Sequence, residues 1–154
     1  MIKNYCLTAK KMAESKLLMR KFLPAYIATI VLMFVLDLIW LSQIAQPLYK
    51  AGIGHLMADA PKLGFAALFY LVFVFGLLWF GVRPNLATKG LKTSFIAGAV
   101  FGFFIYASYD LTNLALLKDW PLKLSIIDMT WGVTLSGVCA AFAKLVYDKT
   151  NKSQ

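Results

Sequence analysis

Charged side chains are spaced along this chain so that four long apolar windows lie between them. Between Lys21 and Lys50 the only charge is Asp37; between Lys62 and Arg83 there is none; between Lys92 and Lys118 there is only Asp110, and between Lys123 and Lys144 only Asp128. About 20 mostly apolar residues in a helix cross the roughly 30 Å of hydrocarbon in a bilayer, and each window supplies that length. The pattern predicts transmembrane helices over roughly 23–44, 63–82, 94–117 and 124–144. The intervening stretches are short, so consecutive helices should run antiparallel. The expected architecture is all-α: an integral membrane four-helix up-down bundle over 22–147, with a basic tail over 1–21 and a short tail over 148–154. Pro24, Pro47, Pro61, Pro84 and Pro121 are expected at or beyond helix ends, because proline is costly inside a helix.

Composition supports this reading. Apolar residues make up 60% and charged residues 15%, against about 45–50% and about 25% in soluble domains, and the mean hydropathy is +0.70. The net charge of +9 would suggest nucleic acid only if the bases formed a patch on a soluble surface. Here they flank the apolar windows and read as topology. Lys3, Lys10, Lys11, Lys16, Arg20, Lys21, Arg83, Lys89, Lys92, Lys144, Lys149 and Lys152 fall on one face, and Lys50, Lys62, Lys118 and Lys123 on the other. Cytoplasmic segments carry the excess of Lys and Arg, so both termini are expected in the cytoplasm. A cleaved signal peptide is a poor account of the first window, which is too long, contains Asp37 and lacks a small-x-small cleavage site. Cys6 and Cys139 both fall on the reducing side, and no disulfide is expected.

The three intramembrane acids carry the candidate chemistry. Counted at about 1.5 Å per residue, Asp37, Asp110 and Asp128 all fall in the outer half of the membrane. Ionisable residues at such depths face the bundle interior and mark a functional site or a polar lock. Tyr106, Asp110 and Asn113 share one helix face, which Gly98 and Gly102 continue as a small-xxx-small packing stripe. Trp40 lies one turn from Asp37, and Trp131 one turn from Asp128. Tyr70 falls at a comparable depth on the second helix, and His55, the sole histidine, lies in the first outer loop. Tyr49, Trp40 and Trp120 also suit an aromatic belt at the interface. No motif with metal-ligand spacing is present, and neither a metal nor a cofactor is expected.

These residues resemble a known family. The runs Asp37-Leu38-Ile39-Trp40-Leu41, Gly54-His55-Leu56, Phe69-Tyr70, Val82-Arg83-Pro84, Tyr106-x-x-Tyr109-Asp110-Leu111-Thr112-Asn113-Leu114-Ala115, Trp120-Pro121 and Asp128-x-x-Trp131-Gly132 are similar to the bacterial domain-of-unknown-function 2177 family, over about residues 20–147. The resemblance implies a small four-span protein of the inner membrane, with no assigned activity, substrate or cofactor. It marks Asp37, Trp40, His55, Tyr106, Asp110, Asn113, Asp128 and Trp131 for testing. Such proteins usually begin just before the first span, as Met19-Arg20-Lys21-Phe22 would. Residues 1–18 then read either as a basic tail on anionic lipid or as an extension upstream of the true start.

Three functional readings follow. The first is a binding or transport-type protein, holding a proton, cation or small polar ligand at the acidic site. The second is a membrane-embedded enzyme acting on a lipid or other amphiphile. The third is a structural or accessory subunit whose polar core locks helix register. The expected partners are the lipid bilayer, a second copy or another membrane protein, and a small ligand or cation, with no nucleic acid. In a cysteine-free background, a cysteine placed in the 85–92 loop should react with a membrane-impermeant maleimide only in opened cells. Labelling of intact cells would reverse the orientation.

Overall fold

The computed structural model describes the backbone of residues 2–87 and 90–151, with the side chains of residues 17, 19–87 and 90–151. The side chains of Lys3, Cys6, Lys10, Lys11, Lys16, Lys89 and Lys152 lie outside the described residues. The described residues form helices joined by short turns: α1 (Ile2–Trp40), a π-helical turn (Leu41–Ala45), α2 (Gln46–Ile53), a 3₁₀ turn (Gly54–Leu56), α3 (Leu63–Gly76), a second π-helical turn (Leu77–Val82), a 3₁₀ turn (Arg83–Asn85), α4 (Lys92–Leu116) and α5 (Leu122–Asn151). Four helical runs, Met19–Leu56, Leu63–Asn85, Lys92–Leu116 and Leu122–Asn151, are long and apolar enough to cross a membrane. They coincide with the four windows in the charge pattern. Their outer faces carry large apolar side chains such as Leu63, Phe65 and Leu116, each more than 70% exposed, as lipid-facing surfaces require.

The first run departs from expectation. It does not end near residue 44, because the chain continues as helix through α2, and Pro24 lies inside α1 instead of ahead of it. Pro24 sits one turn after Arg20, which is exposed, so the carbonyl that loses its helical donor can be solvated. Pro47 is absorbed differently. It occupies the first turn of α2 directly after the π-helical turn, where Gln46 N–H bonds back to the Leu41 carbonyl. Widening of this kind relieves the ring clash and re-satisfies backbone groups that proline would orphan. The second π-helical turn stands in the same relation to Pro84, which opens the 3₁₀ turn that follows.

Packing is most extensive between α4 and α5; α1 lies against α5 and α3, and the second π-helical turn lies against α4 and α5. The small residues of α4 set the closest approach. A Cβ on Gly98 would strike Ala140 and the Ser136 carbonyl, and one on Gly102 would strike the Gly132 carbonyl and the Ser136 side chain. Across the bundle Gly81 rests on the Gly98 backbone. Backbones that approach this closely gain dispersion contacts, which drive helix association where the hydrophobic effect is absent. Met33, Val74, Leu77, Leu135, Cys139 and Ala140 fill the interior, and Cys139 is free. At the end that carries the termini, Lys144 is only 2% exposed and pairs with Asp148 one turn on, at 2.6 Å. The pair adds no net charge to that end.

Gly102→Ala is expected to destabilise the detergent-solubilised protein by about 1–3 kcal/mol through overpacking. Gly64→Ala, where nothing lies within 4 Å of the new Cβ, should stay within about 0.5 kcal/mol of wild type. Reversible unfolding in mixed micelles measures both.

Candidate functional site

Three different runs deliver three buried acids, two of them within electrostatic reach of Asp128. Asp37 comes from α1, Asp110 from α4 and Asp128 from α5; they are 6%, 0% and 5% exposed respectively. Asp128 lies close enough to interact electrostatically with both Asp37 and Asp110. Tyr106 feels all three, and its ring lies over Gly132, where a Cβ would collide with it. Glycine at 132 therefore makes the space that brings Tyr106 into the acid cluster.

Each acid has a different set of partners. Asp37 accepts a hydrogen bond from the Trp131 indole N–H at 3.0 Å and interacts with Tyr70 on α3. Trp131 is held in turn by stacking on Trp40, with ring centroids 4.3 Å apart and planes 4° from parallel. Asp128 accepts from the Tyr49 hydroxyl at 2.5 Å. Asp110 is the least satisfied. Ser125, whose oxygen accepts the Trp120 indole N–H at 3.0 Å, interacts with it, yet neither Asp110 oxygen makes a hydrogen bond of regular geometry. Trp40 Nε1 and Asn113 Nδ2 are likewise buried without a partner, although the Tyr109 side chain interacts with Asn113.

Tyr49 shows why the helical continuation of the first run matters. It lies 12 residues beyond Asp37, about 18 Å along a straight helix. Yet its partner Asp128 is one turn from Trp131, which bonds to Asp37. The long side chains of Trp131 and Tyr49 span part of that distance, and the π-helical turn followed by Pro47 lies between Asp37 and Tyr49. Helix α2 lies on the start of α5, where Gly52 faces Pro121 and Leu124. The start of the segment expected as an outer loop is therefore helical and brings Tyr49 to Asp128.

Of the residues expected at the site, Asp37, Trp40, Tyr70, Tyr106, Asp110, Asp128 and Trp131 are joined in one set of contacts, with Asn113 one turn beyond Asp110. His55 is not among them. It is exposed on the 3₁₀ turn after α2, and none of the contacts to the acids involves it. Tyr49 and Trp120, expected in an aromatic belt, instead donate to Asp128 and Ser125. Ser125 was legible, since it lies three residues before Asp128 and shares its helix face. Tyr49 was not, because nothing in the pattern of Leu41–Ala45 announces a π-helical turn.

The site offers carboxylate and phenolic oxygens and two indole N–H groups, a set suited to a proton, a cation or a small polar ligand. Among the described residues no three His, Cys, Asp or Glu side chains come close enough to share a metal ion. A shallow cleft of about 240 Å³, lined by Trp40, Trp131, Ile126, Ile127, Thr130 and Thr134, opens beside the Trp131–Asp37 hydrogen bond. The Thr130 and Thr134 hydroxyls donate to carbonyls of their own helix, leaving the two indoles as the polar part of its wall.

No curated protein and no solved structure matches the chain. The family model for the domain-of-unknown-function 2177 family, described as a predicted membrane protein, matches residues 22–145. That stretch covers most of each of the four spans and every residue of the acid site, and the chain belongs to this family of membrane proteins.

Proposed function

We propose that this chain is a binding or transport-type membrane protein that holds a proton, a cation or a small polar ligand among Asp37, Asp110 and Asp128. The Lys and Arg distribution supports cytoplasmic termini in a bacterial inner membrane, which puts the site in the outer half of the bilayer. The observation that carries the reading is Asp110. It is wholly buried, and both of its oxygens lack a regular hydrogen bond. A pure lock would match every buried polar group, since an unmatched one is costly; a binding site leaves acceptors open for what it binds. Four spans are few for a transport pathway, so a second copy of the chain would complete one.

The cleft beside Trp131 favours a second reading. A lipid or other amphiphile could reach Asp37 from the membrane through it, with Asp37 acting as an acid or base. The accessory role rests on the bonds already made to Asp37 and Asp128.

Asp110→Asn keeps the shape of the side chain and removes its charge. In proteoliposomes loaded with a pH-sensitive dye, the wild-type chain is expected to pass protons down an imposed gradient. Asp110→Asn should insert normally and lose most of that flux, whereas flux unchanged in the variant would remove Asp110 from the pathway. A silent wild type, together with an altered lipid profile in a deletion strain, would favour the enzyme.

The strength of the lock can be read separately. A double-mutant cycle of Tyr49→Phe with Asp128→Asn, followed by unfolding in mixed micelles, should give a coupling of about 0.6–1.7 kcal/mol, between the average and the maximum for hydrogen bonds between membrane helices. No coupling would mean that α2 is held on α5 by packing alone.

A further inference from the structure

The opposite end of the bundle holds a second feature that does not involve the acids. Between the start of the first span and the end of the second lies a groove of about 1030 Å³, and Leu23, Phe75, Leu78 and Trp79 supply much of its apolar wall. Two charged residues line it, Arg20 and Arg83, and no carboxylate does. Both arginines are exposed, and among the described residues neither is paired with an acid. Arg83 is nevertheless held in place, with its guanidinium carbon 4.0 Å from the centre of the Trp79 ring. This cation–π contact lies over the ring face and leaves the N–H fork available. Tyr26, also on the wall, donates its hydroxyl to the Leu71 carbonyl at 2.8 Å and so ties the two spans together deeper in the groove.

An apolar trough closed at one end by two unpaired guanidinium groups has the chemistry of an anionic amphiphile. The trough takes hydrocarbon, and the planar forks take phosphate oxygens in bidentate fashion. A free phosphate would leave the trough empty, and a zwitterionic headgroup would bring a cation against two arginines. We propose that this groove is a specific site for an anionic phospholipid, with its phosphate between Arg20 and Arg83 and an acyl chain along Leu23, Phe75 and Leu78. The bound lipid would bridge the first and second spans at the end that carries the termini. Such basic pockets between helices at the cytoplasmic side are where anionic headgroups bind, which agrees with the orientation proposed above but does not depend on the acid site.

Native mass spectrometry of the full chain released from detergent, titrated with phosphatidylglycerol and with phosphatidylcholine of the same acyl chains, tests this. Phosphatidylglycerol should bind at least about tenfold more tightly. Each arginine neutralised should weaken it about fivefold, so Arg20→Gln/Arg83→Gln should lose about 25-fold, while Lys118→Gln/Lys123→Gln, with the same loss of charge at the other end, should bind as wild type does. Equal binding of the two lipids by the wild type would overturn the proposal without any variant. So would phosphatidylglycerol binding that survives in Arg20→Gln/Arg83→Gln. Displacement of the lipid by millimolar inorganic phosphate would mark the site as one for phosphate itself. Should the double variant not fold, Arg20→Lys/Arg83→Lys keeps both charges and loses the fork, and a weakening of several-fold is expected; none would overturn the assignment.

Discussion

Hydrocarbon offers no hydrogen-bond partner, and a carboxyl group carried into it has to be answered from within the protein. Three of this chain's seven acids are placed under that constraint. The bundle answers it by burying all three and bringing to them the indole N–H of Trp131, the phenol of Tyr49 and the side chains of Tyr70, Tyr106 and Ser125. The lipid-facing surface keeps the large aliphatic and aromatic residues. What in water would be an inverted protein is here the arrangement that solvation demands.

The acids could not meet unless the helices came close, and small residues decide that. Gly98 and Gly102 admit the α5 backbone, and Gly132 admits the ring of Tyr106. The same stretch of α5 that supplies Asp128 and Trp131 thus also supplies the room in which they act. Both π-helical turns stand just ahead of a proline; the first lets the helical run continue from Asp37 to Tyr49, which donates to Asp128. Local widening restores the hydrogen bonds that the prolines would remove.

The two ends of the bundle are chemically unlike. Away from the termini lie three buried acids, two of them bonded to indole and phenol groups, beneath a surface that carries Lys50, Lys62, Lys118 and Lys123. Near the termini the polarity is basic and open, with Arg20 and Arg83 at the mouth of an apolar groove and Lys144 neutralised by Asp148 within α5. The acid site and the groove thus present different chemistry at the two ends of the bundle.

Much of this was legible in the order of residues alone. Hydrocarbon thickness converts directly into a length of apolar helix, so the four spans follow from the intervals between charges. The period of a helix places Tyr106, Asp110 and Asn113 on one face and Asp128 and Trp131 on another, and the cost of a stray acid in lipid directs those faces inward. Which acid would be bonded and which left open was not legible. That depends on distances between helices, on a π-helical turn whose residues carry no distinctive pattern, and on the reach of Tyr49 from a segment that reads as loop. His55 shows the same limit from the other side, since its place in the sequence beside the site says nothing of where a turn will point it. Periodicity is a local property and survives in the sequence; the matching of donors to acceptors across helices is a property of the packed bundle, and only the tertiary structure decides it.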